Sequence, residues 1–194
     1  SEPSYSVDSR LVNGSGQAPS AMNVTANALA NLGRQDQNTP VFSGAHYGEQ
    51  DAGAITSMYN ATTSNKWELV WTDLHATTGG TGIIARTSDA RGAAHPTWSH
   101  DGNSIIYVSS TAIASSRVDR GDADLWIVPY NNRSGGQAQE IPGVNHQEMN
   151  QYYPAYSPRD TLLAFNRNPR GSQMYDSPNA EVWVAYPSGG DALR

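Results

Sequence analysis

The chain has 194 residues, a formal net charge of −6, ten tyrosines, five tryptophans and no cysteine. Without cysteine there are no disulfides, thiolate catalysis or Cys-ligated zinc, and an acidic balance with no basic cluster argues against a nucleic-acid partner. Leu, Ile, Val and Phe total only 30 residues, below the roughly 20% at which disorder is expected, yet the modest charge and the aromatics indicate a folded chain with a thin, aromatic core.

Residues 1–38 are the least regular part. Glu2-Pro3-Ser4-Tyr5-Ser6-Val7-Asp8 has the pattern of a degenerate repeat copy, and Ser20 can cap a helix bearing Met22, Ala26, Leu29 and Leu32, with Gly33 just past its end. Arg34 to Asn38 reads as a polar connector. The chain begins at Ser1 without a basic segment leading into an apolar one, and no run approaches the ~18 apolar residues of a membrane span. We therefore expect a mature, excised or partial chain.

From Thr39 the sequence repeats. Pro40-Val-Phe42-Ser43, Pro96-Thr-Trp98-Ser99 and Pro154-Ala-Tyr156-Ser157 share Pro-x-aromatic-Ser and lie 56 and 58 residues apart. Downstream of each comes an acid followed by apolar residues and tryptophan: Glu68-Leu-Val-Trp71, Asp124-Leu-Trp126 and Glu181-Val-Trp183. A glycine pair follows at Gly79-Gly80, Gly135-Gly136 and Gly189-Gly190. Three markers in phase predict three units, at about 39–93, 94–151 and 152–194, each of four strands. In the middle unit the strands are expected at 94–99, 104–110, 124–130 and 137–141, with a tight turn at Asp101-Gly102-Asn103 and a second at Asn131 to Gly136. Ile105, Ile106, Tyr107 and Val108 place apolar groups on both faces of one strand, as a sheet covered on both sides requires. Sheets stacked on sheets at a fixed period are the pattern of β-propeller blades, which makes the chain all-β, with Pro3 marking a degenerate fourth unit.

Pro96-x-Trp98-Ser99-x-Asp101-Gly102, the Ile-Ile-Tyr strand and Asp124-Leu-Trp resemble the TolB-type propeller repeat over about 39–194. The match is close in the second unit and good in the third (Pro154, Tyr156, Ser157, Pro158, Asp160). It is weak in the first, where Gly44-Ala-His46 replaces Pro-Asp-Gly. The resemblance implies blades of an extracytoplasmic bacterial protein, periplasmic or secreted, often used to bind macromolecules. It implies no reaction, since such repeats occur in binding proteins, in lyases and beside peptidase domains.

Few motifs carry chemistry. Gly80-Thr-Gly82-Ile-Ile-Ala85 fits a dinucleotide fingerprint but lacks a following helix, so it reads as a turn. Asp119 and Asp122, in Asp-Arg-Gly-Asp-Ala-Asp, suit calcium as a hard cation. The competing reading is a solvated cluster neutralised by Arg117 and Arg120, with Asp124 in a blade-stabilising role. His95 and His146 fall where the chain enters inner strands, near a propeller mouth. Some TolB-like lyases hold a metal there, although solvated or hydrogen-bonded histidines are the simpler reading. Tyr152, Tyr153 and Tyr175 lie off the repeat phase and, with these histidines, form the candidate binding face. Trp98, Trp126 and Trp183 are expected to be largely buried between blades, with Trp71 nearly so.

The leading expectation is a non-catalytic interaction or architectural module. The alternatives are a fragment of a propeller enzyme, lyase or peptidase-associated, and a sugar-binding propeller. Three or four blades do not close a ring, so a protein partner or the remainder of a parent chain is expected to cover the terminal apolar faces.

Overall fold

The computed structural model describes residues 41–47, 52–60, 64–73, 81–114, 117–118, 121–174 and 177–194. The expected features of 1–38 lie outside them. The described residues are strands and turns. The first sheet contains β1 (Val41–Tyr47), β2 (Ala52–Asn60), β3 (Lys66–Asp73) and β4 (Thr81–Ile83), adjacent in chain order. After Ile84 the chain leaves that sheet as β5 (Ala85–Thr87). Next come β6 (Gly92–Trp98), β7 (Ser104–Ser110), the small antiparallel ribbon β8 (Ile113–Ala114) and β9 (Arg117–Val118), then β10 (Asp124–Pro129), β11 (Gly135–Gln137) and β12 (Gln139–Glu140). The second sheet has the order β12-β10-β7-β6. The third consists of β13 (Met149–Tyr156), β14 (Leu163–Pro169) and β15 (Glu181–Ala185).

Two departures from the four-strand expectation stand out. In the third unit the fourth strand is reduced to one antiparallel bridge, Val184 to Leu193. In the second unit the strand expected at 137–141 is divided. Gln139 and Glu140 pair with β10, while β11 crosses to pair in parallel with β5. The turn feeding β11 explains the division: Asn131, Asn132 and Arg133 all have positive φ, at 46°, 48° and 76°. Gly135 follows with φ 70°, and a Cβ there would collide with the Ala85 carbonyl. Only glycine permits both that backbone and that approach.

The Pro-x-aromatic-Ser motif works as a turn device. The Ser99 hydroxyl accepts the Ser104 N–H, its N–H donates to the Ser104 carbonyl, and its carbonyl accepts from Gly102. Ser157 repeats all three bonds with Leu162 and Asp160. Gly102 (φ 75°) and Asp160 (φ 55°) occupy the same left-handed position. Asp160 uses its side chain to accept the N–H groups of His100 and Asp101 in the neighbouring unit, each at 3.0 Å. Partial burial works against its charge, but these bonds prevail and hold the carboxyl below its ordinary range.

Two cores lie between the three sheets. Ile55, Leu69 and Ile84 meet Ala93, Trp98, Ile105, Tyr107 and Val128 in one. In the other, Ala94, Ile106, Val108 and Leu125 meet Leu163, Phe165 and Ala185. Strand β6 lies against both β1 and β13, so the first strand of each sheet sits innermost.

The tryptophan expectation is met in full only at Trp98. Trp98 is 6% exposed, its Nε1 donating to the Gly102 carbonyl, but Trp71, Trp126 and Trp183 are only half-buried. Each of these three lies under a guanidinium: Arg133 over Trp71 at 4.6 Å, Arg91 over Trp126 at 5.5 Å and Arg167 over Trp183 at 4.2 Å. Trp71 is also out of phase. Trp126 and Trp183 face the preceding sheet, whereas Trp71 packs with Ile55 and Leu69 on the face towards the following one. It stands three residues after its acid instead of two, and a one-residue slip reverses the face.

Trp98→Ala should therefore cost roughly 3–5 kcal/mol, as a buried aromatic truncation. Trp126→Ala, whose ring is already partly solvated, should cost about 1–2 kcal/mol. Urea unfolding of the two variants checks this, and equal losses would refute the difference in burial.

Candidate functional site

The repeated acids hold ion pairs. Glu68 meets Arg86 at 2.9 Å, and Glu181 meets Arg194 at 3.0 Å. Asp124 meets both Arg91 at 2.9 Å and Arg170 at 2.5 Å. Asp89 is buried with them, accepting from the Tyr107 and Ser109 hydroxyls at 2.9 Å each and from Arg86 at 2.6 Å.

Of the proposed calcium pair, Asp119 lies outside the described residues. Asp122 Oδ1 accepts from the Ser110 hydroxyl and from the N–H and hydroxyl of Thr111, each at 3.0 Å, and Oδ2 lies 3.7 Å from Arg91. Burial opposes its charge, yet these donors win and keep the carboxyl below its usual range. The described geometry is that of a carboxylate bracing the start of the β7–β8 link. The neutralising arginine seen at this loop is Arg91, while the side chains of Arg117 and Arg120 lie outside the description.

The candidate binding face separates into parts. His146 is exposed in a surface turn, its Nδ1 accepting the Glu148 N–H at 3.2 Å. It lines a depression of about 500 Å³ together with Asn145, Gln147 and Glu148. Tyr175 lies outside the described residues. His95, Tyr152 and Tyr153 do come together: the His95 and Tyr153 rings are 4.5 Å apart, and those of Tyr153 and Tyr152 5.1 Å apart.

His95 and Tyr153 are equivalent residues. Each precedes the motif proline, each sits in the bulge of an inner strand, and each has positive φ, at 46° and 51°. A residue before proline favours extended backbone, so both bulges store strain of order 1–3 kcal/mol. His95 is 8% exposed, and its Nδ1 has no hydrogen-bond partner among the described residues. The Tyr152 hydroxyl and both amide atoms of Gln151 are likewise buried without partners there. Burial pushes the His95 imidazole down to about 4, so it is neutral at physiological pH. Burial, then the neighbouring Tyr153, raises Tyr152. The arrangement is a strained, neutral, aromatic rim with open donors and acceptors. The sequence pointed to His95, Tyr152 and Tyr153 but passed over Gln151, which carries no motif.

No protein-family model matches the chain, and no match was found among curated proteins. Among solved structures, a protein assigned as TolB from Agrobacterium tumefaciens matches with a TM-score of 0.57 and 15% identity, over 82% of this chain and 50% of that one. The acylaminoacyl peptidase of Pyrococcus horikoshii matches with a TM-score of 0.44 and 13% identity, over 80% of this chain and 24% of that one. The β-propeller domain of the Trilobed protease from Pyrococcus furiosus gives 0.21 and 14%, over 79% of this chain and 71% of that one. The first likeness supports a propeller fold, and this chain spans half the length of that TolB structure.

The depressed His95 value has a definite consequence for stability. The unfolded chain takes up a proton near 6.5 and the folded chain only near 4. The stability of the neutral, buried ring is thus present above pH 6.5 and lost as pH falls towards 4, to an extent of about 3 kcal/mol. Asparagine tolerates the left-handed backbone. His95→Asn should therefore lose less stability than the parent between pH 7 and pH 4.5 in urea titrations. Parallel losses would show that His95 is not held neutral.

Proposed function

We propose that this chain is a non-catalytic, TolB-type propeller module of an extracytoplasmic bacterial protein or assembly, acting by binding other polypeptide. One observation carries this reading. Among the described residues the repeated acids and their arginines are spent in ties within and between sheets, whereas the third sheet turns Val182, Tyr186 and Leu193 to solvent. Large apolar side chains grouped at one edge mark an interaction surface. No helix among the described residues is long and apolar enough to cross a membrane.

The enzyme-fragment alternative draws on His95. A buried imidazole nitrogen without a partner, on strained backbone, suits a ligand at the inner rim. Metal analysis of the native protein separates the two readings, since a stoichiometric metal would favour the enzyme.

For the module, light scattering and intact-mass measurement on native material should give a particle heavier than the 20.8 kDa of one chain. A stable, well-behaved monomer of that mass would overturn the proposal.

A further inference from the structure

The division of the fourth strand leaves a cleft at the outer margin of the second sheet. Ile127 pairs with Gln139, and the next position along β10 that would offer an N–H to a fourth strand is Pro129, which has none. There the chain crosses to the first sheet. The Ala138 N–H donates to the Thr87 carbonyl at 2.8 Å, and Gly136 runs so close to the Pro129 ring that a Cβ would lie 2.9 Å from its Cγ. Ala138 turns into the core between the first two sheets, while Gln137 and Gln139 on either side of it face the other way. With Asn103, Ser104, Ile127 and Pro129 they line a space of about 400 Å³.

The lining carries no charge. Its Ser104 hydroxyl shares a hydrogen bond of 3.0 Å with the Tyr156 hydroxyl of the third sheet. Asn103 spends its N–H and its Nδ2 on Asp101, each at 2.9 Å, which leaves Oδ1 as an acceptor. Gln137 and Gln139 are exposed, and neither carboxamide makes a hydrogen bond among the described residues. Each presents an acceptor oxygen beside an N–H₂ donor. The apolar part of the lining is Ile127, half-buried, and the exposed Pro129 ring.

We infer that this cleft binds a neutral pyranose sugar. A charged ligand would find no counter-charge in the lining. A wholly apolar one would cover the two carboxamides without replacing their bonds to water, at a cost for each group left unpaired. A pyranose meets both demands. Its adjacent ring hydroxyls each donate and accept, which matches the paired oxygen and N–H₂ of a carboxamide, and its C–H face packs on Ile127 and Pro129. The space also falls within the roughly 300–1,000 Å³ of small-molecule sites. This goes beyond the module reading and does not depend on it, since the cleft lies at the outer margin of the second sheet and takes a different class of ligand.

The methyl pyranosides of glucose, galactose, mannose, rhamnose and N-acetylglucosamine are titrated into the isotope-labelled full chain. The side-chain amide signals of Gln137 and Gln139 are followed. At least one pyranoside should shift both pairs of signals along a saturable curve. Sorbitol, which has the hydroxyls but no ring, should shift neither. Gln137→Leu and Gln139→Leu replace exposed side chains, so the remaining amide spectrum should be kept while each weakens binding of that pyranoside at least tenfold. Unmoved signals with all five sugars, equal shifts with sorbitol, or undiminished binding to both leucine variants would overturn the inference. An acetylated, amidated trialanine peptide that bound these carboxamides more tightly than every pyranoside would overturn it as well, and would assign the cleft to polypeptide.

Discussion

The arrangement of the first two sheets depends on one buried carboxylate. Asp89 sits in the connector between them and accepts from Arg86, from the Arg91 N–H and from two residues of β7, Tyr107 and Ser109. Arg86 continues the chain of contacts to Glu68 on β3. A buried charge is tolerable only when its partners are in place, and losing one partner strands the other at a cost of several kcal/mol. The network therefore fixes how far the connector can move and, with it, the angle at which β6 and β7 meet the first sheet. The low-aliphatic composition makes this polar joint necessary, because the core around it is thin.

The second joint is made differently. Its centre is apolar, from Ile106 and Val108 across to Leu163 and Phe165, and its polar bonds lie around the margin. Asp160 grips the turn of the preceding unit, Arg170 reaches back to Asp124, and Asn150 accepts from the Ala123 N–H while donating to Asn168. Between the two joints, β6 is held from both sides. That clamping is what can sustain a positive φ before proline at His95 and bring its ring onto Tyr153. Strain of this kind persists only where the surroundings over-determine the backbone.

What was legible in the sequence was local. Pro-x-aromatic-Ser followed by Asp-Gly announces a turn because each bond in it spans five residues or fewer, and Ser99 and Ser157 make the same three. The acids at 68, 124 and 181 were legible as anchors by their spacing, but not their partners. Arg86 comes from the short β5, and Arg91 and Arg170 from the connectors beside β6 and β14, at positions that share no phase with the repeat. The face of Trp71 was legible in its spacing: it stands three residues after Glu68, where Trp126 and Trp183 stand two after their acids, and a strand reverses its face on that one-residue slip. At the inner rim, the sequence marked His95, Tyr152 and Tyr153 by position, but a residue before proline reads as extended. The left-handed bulge that opens the rim follows from tertiary packing.

The outward face of the third sheet changes how closure of such a fold should be viewed. Its pairing places Ala164 and Asn166 where the second sheet has Ile106 and Val108, and Val182 where that sheet has Leu125. The face covered by a neighbour is built of large aliphatics. The open one is smaller and interrupted by an amide. A cover that relied on apolar burial alone would gain less here than the third sheet gains from the second, since the stabilisation scales with apolar area removed from water.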